Sequence, residues 1–222
     1  MKKIILLLFV SFSLLLACKK EPTEFEKFNH LFNELTTDTI KTVFITDKDE
    51  GDTLITGRTI PSAFFHLFEI PREFVEYQTD SSCKGLATAY GKIKIGDQTG
   101  YMIRFYNKEI RVPNFICLYL YDKSTGKLRK PETLQYDYGS EGSEWFTDSW
   151  IYDLNKDGNK DLIQQIYECN LSGENAEISH FVDTLTVGIW TDTTFKETYP
   201  KNYKQLKKQF KGDCICGCGE KE

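Results

Sequence analysis

The ten residues 153–162 carry the clearest chemical pattern in the chain, with the sequence DLNKDGNKDL. Side chains that bear oxygen stand at the first, third, fifth and ninth positions, and Gly158 at the sixth allows a sharp bend. Calcium is a hard cation that takes about six to eight oxygen ligands, so alternate carboxylates on a curled loop suit it. The spacing therefore predicts a structural calcium ion. Its ligands would be the side-chain oxygens of Asp153, Asn155, Asp157 and Asp161 and the backbone carbonyl of Asn159.

A polar turn with solvated acids is the alternative interpretation, because Asn, Asp and Gly are common turn residues. Three aspartates this close repel one another unless a cation or a donor compensates them. Lys156 and Lys160 alternate with the acids and are expected to point outward. We therefore favour calcium over a solvated turn.

The loop resembles the calcium loops of FG-GAP and VCBS repeats, and also those of dockerins and EF-hands. The chain departs from the EF-hand pattern at position 12, where it has Gln164 and an EF-hand has a bidentate glutamate. The segments that flank an EF-hand loop are helices, whereas residues 150–152 and 162–166 have the composition of strands. The FG-GAP resemblance implies the same five ligand positions. Because the pattern occurs once, it supports a local motif and not a whole propeller.

The C-terminal tail holds three cysteines in five residues: Cys214, Cys216 and Cys218. Thiolates are soft ligands suited to Cu(I) or Zn²⁺, but a structural zinc site needs four ligands. No histidine lies near them in sequence, since the three in the chain are His30, His66 and His180. The tail could instead form a disulfide with Cys83 or Cys169, which an oxidising compartment favours. Cys117 lies in an apolar strand pattern and is expected to be a buried thiol.

The first eighteen residues have the pattern of an export signal. Lys2 and Lys3 precede an apolar run too short for a stable membrane span, and the run ends in Leu-Leu-Ala followed by Cys18. This end resembles the lipobox of bacterial lipoproteins. The resemblance implies that the chain is cut before Cys18, that this cysteine carries a diacylglyceryl thioether, and that its new amine is acylated. An ordinary cleaved signal is the alternative.

The expected location is therefore the cell envelope, with the lipid anchored in the outer membrane. The charged residues after the cysteine resemble the short tether of Bacteroidetes lipoproteins, and a periplasmic or a surface orientation remains open. The whole chain has a net charge of −5, and removal of residues 1–17 takes away two lysines. An acidic chain of this kind argues against a nucleic-acid partner, because phosphate binding needs a basic face.

The rest of the chain favours strands, because it contains 16 Phe, 12 Tyr and 3 Trp among many threonines. We expect a mainly β fold of antiparallel sheets, arranged as a sandwich or as propeller-like blades. The predicted strands are 42–46 and 53–59, which form a hairpin, then 86–95 and 101–106 around a longer loop at 96–100, and then 114–121, 134–138, 145–152, 161–168 and 181–190.

Two short helices complete the predicted fold. Thr23 and Glu26 form a capping box, and apolar residues at helical spacing from Phe25 to Leu35 predict an amphipathic helix of about three turns. Near the C-terminus, Tyr203, Leu206 and Phe210 share one face of a short helix. The predicted organisation is a signal peptide at 1–17, a lipidated tether at 18–22, a single β-rich domain at 23–212 and a cysteine-rich tail at 213–222.

The sequence contains none of the motifs Gly-x-Ser-x-Gly, His-Glu-x-x-His or a Gly-rich phosphate loop, so no catalytic residue and no enzyme activity are expected. The favoured function is non-catalytic binding of a protein or glycan at the envelope, with the aromatic pairs Phe64–Phe65 and Trp145–Phe146 as a contact surface. Three alternatives remain: an envelope inhibitor or immunity protein, a metal-handling protein that uses the cysteine tail, and a hydrolase with an unrecognised site. The first is included because some periplasmic inhibitors of lysozyme-like enzymes also carry an aspartate-glycine loop in a β fold.

Overall fold

The computed structural model describes residues 21–42, 57–72, 74, 85–107, 114–129, 132–140, 143–172 and 177–212. The predicted signal peptide, Cys18, Cys83 and the cysteine tail lie outside these residues. The chain divides into two compact units, residues 1–30 and residues 31–222. Among the described helices, none is long and apolar enough to cross a membrane.

The first unit contains helix α1, Glu24–Asn29. The capping box is confirmed, because the Thr23 N–H donates to Glu26 Oε2 at 2.6 Å and the Glu26 N–H donates to Thr23 Oγ1 at 3.2 Å. The helix has six residues and is shorter than predicted. In the second unit, the Leu35 N–H donates to the Lys92 carbonyl at 2.9 Å, so residues expected to be helical pair with a strand instead.

The described part of the second unit contains eleven strands, which confirms the mainly β prediction. They are β1 Ile40–Thr42, β2 Arg58–Thr59, β3 Gly85–Ile95, β4 Gln98–Asn107, β5 Asn114–Asp122, β6 Lys127–Leu128, β7 Glu132–Ser140, β8 Ser143–Tyr152, β9 Asp161–Ser172, β10 Glu177–Thr191 and β11 Thr194–Thr198. A 3₁₀ helix, Ser62–Leu67, follows β2, and helix α2, Tyr203–Gln209, follows β11.

All described strand pairs are antiparallel and join into one sheet with the order β11-β10-β9-β8-β7-β5-β4-β3-β2. Strands that follow one another in the chain are mostly neighbours in the sheet, as short connections require. The two remaining strands extend this path, because β1 pairs with the end of β8 and β6 pairs with the end of β5.

Two hairpin details differ from the sequence prediction. Residues 43–56 of the first predicted hairpin lie outside the described part, and its described ends pair elsewhere, since β1 pairs with β8 and β2 pairs with β3. The second hairpin has a tight turn and not a longer loop, because Ile95 pairs directly with Gln98. Gly96 has a φ of 54°, and this left-handed conformation lets two residues close the turn.

The main apolar cluster gathers residues from strands that are far apart in the sheet order. Ile93 and Met102 of β3 and β4 lie in the same cluster as Ile151 of β8 and Trp190 of β10. The two ends of the sheet must therefore curve toward each other over this core. A second cluster forms where α2 lies on β8, β9 and β10, with Leu206 and Phe210 packed among apolar side chains of the strands. The predicted apolar face of this helix is thereby confirmed.

Candidate metal site

The aspartate loop, residues 153–161, connects β8 to β9 and so has the strand–loop–strand setting that the sequence predicts. Two of its residues are left-handed, Lys156 with a φ of 63° and Gly158 with a φ of 89°. Left-handed residues reverse the chain within a few positions, and glycine adopts this conformation without steric cost. The loop is therefore tightly curled, as an ion-binding loop requires.

Two predicted ligands converge on one backbone group in this loop. The Asp157 N–H donates to Asp153 Oδ1 at 3.1 Å and to Asn155 Oδ1 at 3.0 Å. The second oxygen of Asp153 accepts the Gly158 N–H at 3.0 Å. Because both side chains reach the same N–H, their oxygens lie close together on the inside of the curl.

Asp157 adds a third oxygen-bearing side chain to this group. Its Oδ2 accepts the side-chain amide of Asn155 at 2.9 Å, and its Oδ1 accepts the Asn159 N–H at 2.7 Å. The backbone bond from Asn159, followed by the side-chain bond from Asn155, holds the pKa of the Asp157 carboxyl below its usual value. The carboxylate is therefore ionised at neutral pH, which is the form that binds a cation.

Asp161 has a different environment from the other predicted ligands. It is fully buried, its Oδ2 accepts the Leu154 N–H at 3.0 Å, and its Oδ1 accepts the Trp190 N–H at 2.9 Å. Burial raises the pKa of this carboxyl, while the backbone bonds from Trp190 and Leu154 act in the opposite direction. Asp161 thus ties the start of the loop to β10. The sequence alone does not indicate this role of Asp161, because both of its donors are backbone N–H groups, which every residue except proline has.

The donor set fits calcium in its chemistry, and three of the predicted side-chain ligands come together in space. Carboxylate and amide oxygens are hard donors, and an oxygen that accepts one N–H keeps a second lone pair for an ion. Asp161 is turned toward its backbone donors, and the described residues hold no group of three His, Cys, Asp or Glu side chains placed for a metal. The ammonium group of Lys160 donates a hydrogen bond to the backbone carbonyl of Asp38.

The residues that follow helix α2 lead to the cysteine tail, which is the second candidate site of the sequence analysis. The Gly212 N–H donates to Gln165 Oε1 at 2.8 Å, and Gln165 Nε2 donates to Asp183 Oδ1 at 2.7 Å. Lys207 pairs with the other oxygen of Asp183 at 3.0 Å. The three tail cysteines begin two residues after Gly212 and lie outside the described residues.

The described cysteines of the sheet lie on two different strands. Cys117 is a buried cysteine on β5 that forms no disulfide, as predicted. Cys169 is fully buried on β9 and lies four residues beyond Gln165, on the same side of that strand because side chains alternate. The last described residues of the chain are therefore bound on the face of β9 that carries Cys169.

The aromatic pairs proposed as a contact surface are largely part of the packing. Phe146 is buried, and its ring centroid lies 6.2 Å from that of Tyr167. Phe65 is half-buried and packs 5.7 Å from Phe68. Among the described residues, the large apolar side chains that are truly exposed are Phe181 and Tyr199, at 40% and 83%.

The likeness of the aspartate loop to FG-GAP calcium loops rests on its residues and on its place between two strands. The five oxygen-bearing positions, the left-handed glycine and the strand flanks are all present. The chain as a whole matched no protein-family model, no curated protein and no solved structure with which it was compared.

Proposed function

We propose that this chain is a lipid-anchored protein of the cell envelope whose β domain is stabilised by calcium and binds a protein or glycan without catalysis. The observation that carries the calcium part is that Asp153 and Asn155 both accept the Asp157 N–H, while the Asp157 carboxylate accepts the side-chain amide of Asn155. Anionic side chains held this close gain from a bound cation, which offsets their mutual repulsion.

A structural role for the ion follows from the connections of the loop. Asp161 joins the backbone of Leu154 at the start of the loop to that of Trp190 on β10. An ion that holds Asp153 and Asp157 would therefore reinforce the connection of β8 to β9 and, through Asp161, to β10. Ion binding to the native fold alone stabilises that fold by mass action.

Calorimetric titration of the full chain, purified in mild detergent, tests the calcium site. We expect one calcium ion per chain, with magnesium bound at least about tenfold more weakly, since magnesium demands a stricter geometry. Asp157→Ala should abolish the binding. Asp122→Ala is the matched control, because Asp122 lies at the end of a strand beside a turn and accepts hydrogen bonds from Ser124. Absence of calcium binding, or equal loss in both variants, would contradict the proposal.

The anchor part of the proposal is supported by the lipobox-like end of the signal sequence at Cys18. Metabolic labelling with palmitate, followed by membrane fractionation, tests it. The wild-type chain should be labelled and sediment with membranes, whereas Cys18→Ser should lose both properties. Cys117→Ser is the control, because Cys117 is a buried cysteine of the sheet that forms no disulfide. Equal labelling of both variants would exclude an anchor at Cys18.

For the tail we propose a disulfide with Cys169 in preference to a soft-metal site. Gly212 is hydrogen-bonded to Gln165, and Cys214 follows two residues later, a reach of about 7 Å. Cys169 lies beyond Gln165 on the same strand face, and a disulfide needs Cα atoms about 4.4–6.8 Å apart. The proposal is also supported by Cys169 taking part in a disulfide, which Cys117 does not.

Peptide mapping under non-reducing conditions tests this pairing. We expect the peptide with Cys169 to be linked to a peptide from residues 213–222. Free thiols at Cys214, Cys216 and Cys218 together with bound zinc or copper would instead support the metal-handling alternative.

A further inference from the structure

Four buried polar side chains lie in a row on strands other than those that carry the aspartate loop. Thr88 on β3 is paired with Arg104 on β4, and Arg104 and Gln135 on β7 both pair with Ile116 on β5. Asn114 precedes Ile116 by two residues. Paired residues, and residues two apart, point to the same side of a sheet. We call Thr88, Arg104, Asn114 and Gln135 the polar row.

The polar row is buried, and six of its side-chain atoms have no hydrogen bond. Thr88, Arg104, Asn114 and Gln135 are 3%, 2%, 3% and 0% exposed, respectively. The unpartnered atoms are Thr88 Oγ1, Arg104 Nε and Nη1, Asn114 Oδ1, and Gln135 Oε1 and Nε2. Among the described residues, six of the seven buried side-chain atoms without a hydrogen bond belong to this row.

Such a concentration of unmet groups is unusual because burial of an unpaired polar atom costs free energy, and burial of an unpaired charge costs more. The Arg104 guanidinium is charged at neutral pH, and no described carboxylate pairs with it. Its carbon lies 5.2 Å from the ring centroid of Tyr90, a contact that holds the group in place. The unmet groups therefore point to a partner that the described residues do not supply.

The atoms of the polar row specify the chemistry of that partner. Nε and Nη1 of Arg104 are two donor groups of a charged guanidinium that have no hydrogen bond, and such charge-assisted donors suit an anionic acceptor such as a carboxylate. Asn114 Oδ1 can only accept, so the partner must also carry an N–H or O–H donor. Gln135 offers one donor and one acceptor group, and Ile116 beside it belongs to the main apolar cluster. A few polar groups beside an apolar wall are typical of small-molecule sites.

We propose that the polar row binds a small organic carboxylate that also carries amine or hydroxyl groups, such as an amino acid or an acidic sugar. The site does not depend on the proposed calcium ion, since it uses β3, β4, β5 and β7 and no residue of the aspartate loop. One sequence signal marks it: Arg104 is the only charged residue in the apolar run from Tyr101 to Tyr106.

Binding measurements on the full chain with defined probes test this proposal. The probes are the common amino acids, glucuronate and galacturonate, with glucose as the neutral analogue of glucuronate. We expect at least one acid to bind saturably, one molecule per chain, and its neutral analogue or amide at least about tenfold more weakly. The amino acids and the sugars distinguish the two sources of the carboxylate. Binding should persist in chelator, which separates this site from the calcium proposal.

Variants of the row decide between a ligand site and buried water. Arg104→Met should weaken binding at least about 100-fold, and Arg104→Lys about tenfold, since lysine keeps the charge but lacks the second donor group of the guanidinium. Arg58→Met is the matched control on the exposed neighbouring strand β2 and should bind normally. Should Arg104→Met fail to fold, Arg104→Lys supplies the test. No saturable binding by any acid, or undiminished binding by the Arg104 variants, would overturn the proposal.

Discussion

The aspartate loop and the polar row treat their polar side chains in opposite ways. In the loop, carboxylates and amides accept backbone N–H groups from residues only a few positions away, as Asp157 does from Asn159. In the row, six buried atoms on four strands have no partner at all. The loop is therefore formed before any ion arrives, and an ion would add to a preformed site. The row, by contrast, lacks such internal partners, and the proposed ligand would supply them.

The largest predicted effect concerns the one loop residue that is buried. Asp161→Ala removes the acceptor of the Leu154 and Trp190 N–H groups. Hydrogen bonds to a charged acceptor contribute about 1.5–3 kcal/mol each, so the free energy of unfolding should fall by about 3–6 kcal/mol. Urea unfolding in chelator measures it. Asp157→Ala in the same loop should cost clearly less, because Asp157 is exposed. Equal losses of unfolding free energy in the two variants would contradict the claim that the burial of Asp161 makes its hydrogen bonds more stabilising.

Two buried glutamines provide the sharpest test of the contrast. Gln135 is 0% exposed and unpartnered, whereas Gln165 is 1% exposed and bonded to Asp183 and Gly212. Without ligand, Gln135→Leu should raise the free energy of unfolding by about 1–3 kcal/mol, since an unmet amide is removed. Gln165→Leu should lower it by a similar amount. Urea unfolding of both variants would contradict the description of the row if the two changes had the same sign.

The left-handed glycines give a smaller and more local effect. Gly158 has a φ of 89° and Gly126 a φ of 70°, and a Cβ added at either position would meet no heavy atom within 4 Å. Each Ala substitution should therefore cost only the left-handed strain, about 1–2 kcal/mol. In chelator, thermal unfolding should show similar losses of stability for Gly158→Ala and Gly126→Ala. Added calcium should make the two variants differ in stability, because only Gly158→Ala distorts the proposed ion site.

The smallest predicted effect is a pH dependence at the other aspartate turn. Ser124 donates its hydroxyl and its N–H to Asp122 Oδ1 at 2.7 and 2.8 Å, and these bonds hold the pKa of Asp122 below its usual value. A lowered pKa contributes stability above the unfolded value of about 3.9, and this stability is lost as the pH falls through the lowered pKa.

The check on this pH dependence is urea unfolding at about pH 7 and about pH 3. Wild-type protein should lose slightly more stability than Asp122→Asn between these two values. A larger loss in Asp122→Asn would reverse the sign that the Ser124 bonds require.

The features that the sequence predicted correctly are local ones. The capping box of Thr23 and Glu26 and the curl at Gly158 depend on residues within a few positions of each other. Most strands were predicted near their observed positions because β-branched and aromatic residues cluster between turns. Leu35, which the sequence predicts to be helical, instead hydrogen-bonds to Lys92, a residue that is distant in the chain. Such pairings are not encoded in any short window of sequence.

The parts of the candidate sites that sequence could not supply depend on strand register. Thr88, Arg104 and Gln135 become neighbours only through the pairing of β3, β4, β5 and β7. A shift of one residue between two strands would turn a side chain to the opposite face. The bond from the Trp190 N–H to Asp161 has the same origin, since it joins residues 29 positions apart.

Thermal unfolding of the full chain in calcium, in magnesium and in chelator tests the proposed calcium stabilisation most directly. Calcium at about 100 times its Kd should add about 2.7 kcal/mol to the free energy of unfolding, a rise in Tm of roughly 5–10 °C. The rise should be specific to calcium, absent in Asp157→Ala and retained in Asp122→Ala. A Tm that is the same in calcium and in chelator would mean that the aspartate loop is a solvated turn, and would contradict the account.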